Sequence, residues 1–172
     1  MHLLYIIGQP GVGKSTLTEA LVRGRRRRVK QEPFTHTLYE GGLVQLGRER
    51  SNGFSGTDAL SLSAATNAIA LLEARWPRLI AEGDRLATGK FFDAARKIGY
   101  NVDVVLLEAP AFVLTKRRQE RGSEQNEAWA RGRETKIKNL DPWVTIRLDA
   151  TLPVEELTAS LRDHPVFERN GN

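Results

Sequence analysis

Near the beginning of the chain runs the sequence Gly8-Gln9-Pro10-Gly11-Val12-Gly13-Lys14-Ser15, followed by a second hydroxyl residue, Thr16. It fits the pattern G-x-x-x-x-G-K-[ST] at every fixed position. Residues 3–7 before it are an apolar run typical of a buried strand, and residues 15–22 have the character of a helix. A preceding strand and a following helix are the setting in which this pattern forms a phosphate-binding loop.

The glycines of this loop indicate how it would hold phosphate. They let the backbone turn its N–H groups inward, which makes an anion-binding nest at the N-terminus of the following helix. We expect Lys14 to reach the β- and γ-phosphates and the Ser15 hydroxyl to coordinate Mg²⁺. The sequence therefore predicts a nucleotide-binding protein that uses ATP and Mg²⁺, with residues 8–16 forming the phosphate site.

Composition limits the remaining classes of protein. The chain has 172 residues, 40% of them hydrophobic and 27% charged, which fits a single globular domain over residues 1–172. It has no cysteine, so disulfides, thiolate zinc sites and a cysteine nucleophile are excluded. We expect no membrane partner and no signal peptide, and hence a cytoplasmic protein, or a viral protein inside its host cell. The formal net charge of +5 favours an anionic partner, either nucleotide phosphates or a nucleic acid.

Positive charge is concentrated in two segments. Residues 23–30 contain six Lys or Arg, and residues 116–138 contain eight Lys or Arg against four Glu. The first segment is either a solvated loop whose cations favour the end of the preceding helix, or a patch that follows the phosphates of a nucleic acid. Charge alone does not choose between these two interpretations.

The region that follows differs in character from the rest of the chain. Residues 34–39 alternate apolar and polar side chains, which predicts a second strand at an edge of the sheet. Residues 46–58 have the composition of a mobile loop, and we interpret them as the loop that binds the acceptor substrate. The side chains expected to contact the acceptor are Arg48, Phe54, Ser55, Thr57 and Asp58 in this loop, together with Arg85.

The remaining pattern alternates helices and strands. Helices are predicted at residues 59–75, 87–98 and 154–163, and strands at 79–81, 102–107 and 143–148, with a charged helical lid at 111–140. Thr57 and Asp58 are the two candidate caps for the first of these helices. The prediction is an α/β three-layer sandwich of about five mainly parallel strands, with helices on both faces. Glu82 and Asp84 follow a strand, where ligands bind in such sheets.

Taken together, these segments resemble the nucleoside monophosphate kinase group of P-loop phosphotransferases. Residues 80–86 are similar to the Asp-Arg motif of thymidylate and deoxynucleoside kinases, and residues 117–121 resemble a lid that carries arginines. Residues 148–157 resemble the segment that lies against the nucleotide base in these kinases, which implies base contacts from Asp149, Ala150 and Thr151.

The substrate half departs from this group and introduces a second resemblance. The usual monophosphate-binding pattern is absent between residues 31 and 76. The basic segments and the unusual loop are similar in character to phage-type P-loop kinases that phosphorylate 5-hydroxymethyl pyrimidines in DNA, and to polynucleotide 5′-kinases. This resemblance implies a DNA acceptor, with a free nucleoside or nucleoside monophosphate as the alternative.

Phosphoryl transfer suggests roles for the charged residues. Ser15 would hold Mg²⁺, with Glu82 or Asp84 acting through water. Arg117 and Arg121 are four residues apart, so they share a helix face and are placed to close over the transferring phosphoryl group. A hydroxyl acceptor requires a carboxylate to take its proton, for which Asp84 is the first candidate and Asp58 the second. A nucleotide-hydrolysing switch without an acceptor is the remaining alternative.

Overall fold

The computed structural model describes residues 1–31, 34–51, 54–61, 64–120, 122 and 127–168. Short 3-10 helices occur at Thr57–Ala59, Asp141–Trp143 and Pro165–Phe167. The longer elements, in chain order, are β1 (His2–Gly8), α1 (Lys14–Val22), β2 (Arg27–Lys30), β3 (His36–Tyr39), β4 (Leu43–Leu46), β5 (Arg48–Ser51), β6 (Phe54–Gly56), α2 (Ala64–Glu73), β7 (Arg78–Glu82), α3 (Gly89–Ile98), β8 (Asn101–Glu108), α4 (Ala111–Glu120), α5 (Glu127–Asn139), β9 (Val144–Asp149) and α6 (Val154–Leu161).

A seven-stranded sheet forms the centre of the molecule, in the order β2-β3-β4-β7-β1-β8-β9. The strands β4, β7, β1, β8 and β9 run parallel to one another, and β3 and β2 extend the sheet in antiparallel fashion. The predicted fold class, with five mainly parallel strands and helices on both faces, is confirmed. Strands β5 and β6 form a separate two-stranded hairpin.

Alternate residues of β1 contribute to the cores on the two faces of the sheet. Tyr5 packs edge-on against Phe91 and Phe92 of α3, on the face that α2 also covers. Ile6 belongs to the opposite core, which α1 and α6 complete. Because both faces are covered, the central strands are apolar runs rather than alternating patterns, which is why β1 and β8 are readily predicted from the sequence. Among the described residues, no helix is long and apolar enough to cross a membrane.

The basic edge of the sheet differs from the prediction. The strand predicted at residues 34–39 is shorter, His36–Tyr39, and lies between β2 and β4 rather than at an edge. The edge strand is β2, which forms from the basic segment for which the sequence indicates a loop or a patch. Its side chains are largely exposed, and cations on an edge strand discourage pairing with another chain. The sequence does not predict the buried strand β4, because four residues after two glycines give little periodic signal.

The prediction of a mobile loop at residues 46–58 is also wrong. The segment forms the β5–β6 hairpin and a 3-10 turn, and α2 begins only at Ala64, so neither Thr57 nor Asp58 caps that helix. Instead, the Asp58 carboxylate accepts hydrogen bonds from the backbone N–H groups of Asp84 and Arg85, at 2.6 and 3.2 Å. Thr57 is buried against the Tyr5 hydroxyl at 3.0 Å. These side-chain contacts fix the end of the hairpin to the carboxyl edge of the sheet.

Two glycines permit this docking of the hairpin. A Cβ on Gly47 would lie 2.2 Å from the backbone of Gly56, and a Cβ on Gly56 would lie 2.3 Å from Glu82 Oε1. Gly56 also has φ 59° and ψ −141°, a conformation that residues with a Cβ rarely adopt. With any residue other than glycine at positions 47 and 56, the hairpin could not approach β7 this closely.

We predict that Gly56→Ala lowers the free energy of unfolding by about 3 kcal/mol, because positive φ and overpacking each contribute about 1–2 kcal/mol. Gly24→Ala is the matched control, since Gly24 also has positive φ (78°), whereas a Cβ at this position would meet no atom within 4 Å. It should cost only about 1 kcal/mol. Urea unfolding of both variants checks the difference, and equal costs would contradict the close docking of the hairpin.

Candidate active site

The phosphate-binding loop connects β1 to α1, as predicted. Gly13 has φ 107°, a left-handed conformation, immediately before the helix begins at Lys14. Gly8 lies so close to β8 that a Cβ there would be 2.7 Å from the carbonyl oxygen of Leu107. The Lys14 ammonium donates to the carbonyl oxygens of Gly8 and Gln9, at 2.9 and 3.4 Å. The ammonium group thus lies over the loop, where the phosphates of a bound nucleotide would accept its hydrogen bonds.

Ser15, Ser55 and Glu82 bring three oxygen atoms together beside this loop. The hydroxyls of Ser15 and Ser55 donate to Glu82 Oε1 at 3.0 and 3.1 Å, and the two serine oxygens lie 2.5 Å apart. Glu82 is only 2% exposed. Burial raises the pKa of this carboxyl, and the nearby Lys14 ammonium and the Ser15 hydrogen bond partly oppose the increase. The three segments that meet here are α1, the hairpin and β7.

This set of oxygen ligands fits Mg²⁺. Hydroxyl and carboxylate oxygens are the donors that this hard cation prefers, and kinase sites use one or two carboxylates together with substrate phosphates. In the part of the chain that the structure describes, no cluster of three or more His, Asp or Glu residues could hold a metal ion. A magnesium ion here would therefore need oxygens of the nucleotide in addition to those of the protein.

A cavity of about 270 Å³ lies on one side of the phosphate-binding loop. Arg117 lines this cavity, and its guanidinium donates to the carbonyl oxygens of Val12 and Ala150 at 3.2 and 2.9 Å. Arg117 is therefore placed beside this cavity, away from the Ser15–Glu82 cluster. The cavity is lined by Gly11, Val12, Gly13, Thr16, Leu17, Arg117, Glu120, Ala150, Leu152, Val154 and Leu157.

The segment after β9 forms a wall of the same cavity. Asp149 accepts hydrogen bonds from the backbone N–H and the hydroxyl of Thr151, at 2.9 and 2.7 Å, and these bonds lower the pKa of its carboxyl. Ala150 N–H in turn donates to the carbonyl oxygen of Glu108 at 2.7 Å. This bond attaches the turn to the end of β8, and Ala150 and Leu152 line the cavity.

A second cavity, of about 410 Å³, opens on the other side of Ser15 and Glu82. On its floor, the Tyr39 hydroxyl donates to Gln45 Oε1 at 2.6 Å, and Gln45 is only 5% exposed. A polar side chain buried to this degree in a short strand is unusual unless it has hydrogen-bond partners. The cavity is lined by Ser15, Thr18, Glu19, Val22, Arg23, Gly24, Arg25, Arg27, Tyr39, Gln45, Ser55 and Glu82.

Asp84, the first candidate for a catalytic base, is held by the lid. Its carboxylate pairs with Arg133 and Lys136 of α5, the latter at 3.3 Å, and Lys136 also donates to its backbone carbonyl. Burial and the neighbouring Arg133 charge lower the pKa of Lys136. Arg85 donates to the backbone carbonyl of Asp58 at 3.4 Å. Asp58, Asp84 and Arg85 are therefore brought together at one point of the carboxyl edge.

The residues predicted to bind the acceptor lie in different surroundings. Ser55 lines the second cavity, whereas Thr57 faces Tyr5 in the interior. The side chains of Arg48 and Phe54 and the whole of Arg121 lie outside the described residues. Sequence reasoning missed Tyr39, Gln45 and Lys136. The signal for Gln45 was a single amide residue inside the apolar sequence Leu43-Val44-Gln45-Leu46.

The central parallel sheet, the phosphate-binding loop, the helical lid and the two flanking cavities define a P-loop phosphotransferase. The chain belongs to the P-loop Nucleotide Kinase3 family, whose model matches residues 1–150. It is an enzyme of the kinase class. No curated protein sequence matches the chain.

Solved structures with the same fold are distant in sequence. A gluconokinase from Sinorhizobium meliloti 1021 is 14% identical with a TM-score of 0.55, over 92% of this chain and 87% of that one. A sugar kinase from Janibacter sp. HTCC2649 is 15% identical with a TM-score of 0.57, over 94% and 92%. The tunicamycin resistance protein of Deinococcus radiodurans is 17% identical with a TM-score of 0.57, over 94% and 93%. At these identities, the likeness shows the fold alone.

We predict that Glu82→Gln is more stable than the wild type at neutral and alkaline pH. Because the folded pKa of Glu82 is raised, the stability contributed by its protonated form is fully present below the unfolded value of 4.5 and is lost as the pH rises through the folded pKa. The advantage of the variant should therefore increase with pH, as measured by urea unfolding across a pH series.

Asp149→Asn is the control for this prediction, because the pKa of Asp149 is lowered and the sign reverses. The stability that Asp149 contributes is present above its unfolded pKa and is lost as the pH falls through the folded pKa. Its variant should therefore be less stable than the wild type at neutral pH. If Glu82→Gln were instead destabilised as the pH rises, the buried carboxylate would be a net favourable charge, contrary to this account.

Proposed function

We propose that the protein transfers the γ-phosphate of ATP to a hydroxyl on DNA, in particular the hydroxymethyl group of a modified pyrimidine such as 5-hydroxymethyluracil. The observation that carries the proposal is the position of the second cavity. It opens directly beside Ser15 and Glu82, where the γ-phosphate would end, and three arginines, Arg23, Arg25 and Arg27, line it. The family description, a P-loop nucleotide kinase, supports the donor half of the proposal.

The donor nucleotide would occupy the first cavity. Its base would lie in the part of this cavity that Arg117 and the turn at Ala150 line together, and its phosphates would extend along the loop toward Lys14. When bound, Mg²⁺ would neutralise charge on the β- and γ-phosphates. The protein residues available to hold it are Ser15 directly, Glu82 directly or through water, and Asp84 through water. The Lys14 ammonium and the backbone N–H groups would fix the phosphates in line with the acceptor.

The acceptor cavity suits one extruded base rather than a length of duplex. Its volume of about 410 Å³ lies within the range typical of small-molecule sites. An enzyme acting on a base substituent in DNA must take that base out of the stack, and a pocket of this kind then receives it. Tyr39, Gln45 and Ser55 supply an aromatic ring and hydrogen-bonding groups for a base. The exposed edge strand β2 supplies cations for the flanking phosphates.

The chemical step requires a group that accepts a proton. The acceptor oxygen bonds to the γ-phosphorus, the bond from that phosphorus to the β–γ bridging oxygen breaks, and the hydroxyl proton passes to a carboxylate. We assign this role to Asp84, which lies two residues beyond Glu82 and whose carboxylate pairs with Arg133 and Lys136 of the lid. Asp58 has a different part, because one of its oxygens already accepts two backbone hydrogen bonds from the Asp84 turn.

We predict that Asp84→Asn lowers the rate of transfer by about 10²–10⁴-fold, the usual effect of losing a general base. Asp58→Asn should act mainly on acceptor binding, through displacement of the turn at Asp84 and Arg85, and should raise the acceptor KM more than it lowers kcat. Single-turnover rates and acceptor titrations of both variants separate these effects. The reverse pattern would transfer the role of base to Asp58.

A free nucleoside or nucleoside monophosphate is the second candidate acceptor. The size of the acceptor cavity favours it, because one nucleotide would fill much of the available space. A 5′-hydroxyl end of DNA is the third acceptor to be compared. A screen with γ-labelled ATP should therefore include hydroxymethylpyrimidine duplexes, unmodified duplexes, 5′-hydroxyl oligonucleotides, nucleosides and monophosphates. Incorporation of label into hydroxymethylpyrimidine DNA alone is the result that the proposal expects.

We predict that acceptor binding weakens steeply with salt, by about 0.7–0.9 log units per log unit of salt for each phosphate neutralised. Replacing Arg23 and Arg27, which line the acceptor cavity, by Gln should make this slope shallower by the contribution of about two phosphates. Lys90→Gln with Lys97→Gln is the control, because α3 covers the opposite face of the sheet from α1. Shallow slopes that are the same in all three proteins would contradict a DNA acceptor and favour a mononucleotide.

A further inference from the structure

We infer that Ser55 is a second hydroxyl ligand of the Mg²⁺ that a nucleotide brings to Ser15, so that the β5–β6 hairpin becomes part of the metal site. The inference rests on the donor half of the proposed function, a magnesium–nucleotide complex at the phosphate-binding loop. It is independent of the identity of the acceptor. Neither the loop pattern nor the family description assigns a role to Ser55.

The distances among the three oxygens match a face of the magnesium coordination shell. Mg²⁺ demands near-octahedral geometry with oxygens at about 2.0–2.1 Å, which places neighbouring ligand oxygens about 2.9 Å apart. The triangle formed by Ser15 Oγ, Ser55 Oγ and Glu82 Oε1 has sides of 2.5, 3.0 and 3.1 Å. All three oxygens therefore converge on one small space at the end of the phosphate-binding loop.

When Glu82 is ionised, hydrogen bonds alone do not account for the whole triangle. Two serine hydroxyls supply two protons, so at most two of the three sides can each have a proton of their own. When both serines donate to Glu82, the 2.5 Å approach of their oxygens has no proton between them. A cation with all three oxygens as ligands would remove this conflict, because each oxygen would then direct a lone pair at the metal.

The position of Ser55 is fixed by the fold and does not require the metal. Gly56, the next residue, packs directly on Glu82, and Thr57 is held by Tyr5 in the interior. Asp58 is bonded to the backbone of the Asp84 turn. Three consecutive residues thus attach the end of the hairpin to β1, β7 and the turn that follows. A ligand held in advance loses little conformational entropy when the ion binds.

Ser55 lines the acceptor cavity as well. As a metal ligand it would join the nucleotide site to the wall of the acceptor site through a single side chain. The position of that wall would then depend on whether a magnesium–nucleotide complex is present. The alternative is that Ser55 is only a hydrogen-bond partner of Glu82. In that case its replacement should leave the affinity for the metal unchanged.

The absence of cysteine from the chain makes a direct spectroscopic test available. In Ser55→Cys the introduced thiol is unique, and a thiolate favours soft metals such as Cd²⁺ over Mg²⁺. With Cd²⁺ and a non-hydrolysable ATP analogue, we expect an ultraviolet thiolate-to-cadmium band that saturates at one metal per protein. Ser160→Cys, an exposed position on α6, is the matched control and should give no such band under the same conditions.

Ser15→Cys distinguishes failure of this inference from failure of the proposed function. A band with Ser15→Cys but none with Ser55→Cys would overturn the role of Ser55 and leave the donor site intact. No band with either variant would contradict the donor site itself. Ser55→Ala gives an independent measurement: Mn²⁺ affinity in the presence of the analogue, followed by electron paramagnetic resonance, should fall at least about tenfold. Unchanged Mn²⁺ affinity would overturn the inference even if the cysteine variant does not fold.

Discussion

Glu82 is a carboxylate at the end of a central strand, 2% exposed, with hydroxyls from two other segments within 3.1 Å. Burying such a group is costly unless hydrogen bonds and opposite charge compensate for its lost hydration. The compensation comes from Ser15 at the start of α1, from Ser55 on the hairpin and from the nearby Lys14 ammonium. The phosphate-binding loop, the hairpin and β7 must therefore all be in place before this carboxylate is satisfied.

Because Glu82 holds the phosphate-binding loop, the hairpin and β7 together, the two cavities lie on either side of the loop. The loop lies between them, with the cavity beside Arg117 and Ala150 on one side and the cavity beside Tyr39 and Gln45 on the other. The cluster at Glu82 borders the second cavity, where a phosphoryl group held by the loop would meet an acceptor. The lid reaches the same edge through Lys136 and Asp84. The proposed donor site, the proposed acceptor site and the lid thus meet at the carboxyl ends of parallel strands, where open α/β sheets place their ligands.

The sequence predicts the parts of the site whose chemistry is local. The loop at residues 8–16 is recognisable because its glycines, lysine and hydroxyls are consecutive, and β1 and β8 are recognisable because both of their faces are buried. The hairpin is not predictable in this way, since its glycines and polar residues have the composition of a loop and only contacts with Glu82, Tyr5 and Asp84 order it. Gln45 is not predictable for the same reason, because it accepts its hydrogen bond from Tyr39 on the neighbouring strand β3.

The most direct test of the account is the coupling of ATP consumption to phosphoryl transfer. ADP formed and label transferred from γ-labelled ATP should be counted together, with and without 5-hydroxymethyluracil DNA, and with Lys14→Ala as the inactive reference. The account predicts one phosphate on the acceptor for each ADP, and a rate of ADP formation that depends on the acceptor. Release of inorganic phosphate at the same rate with and without acceptor would contradict it and would indicate a nucleotide-hydrolysing switch.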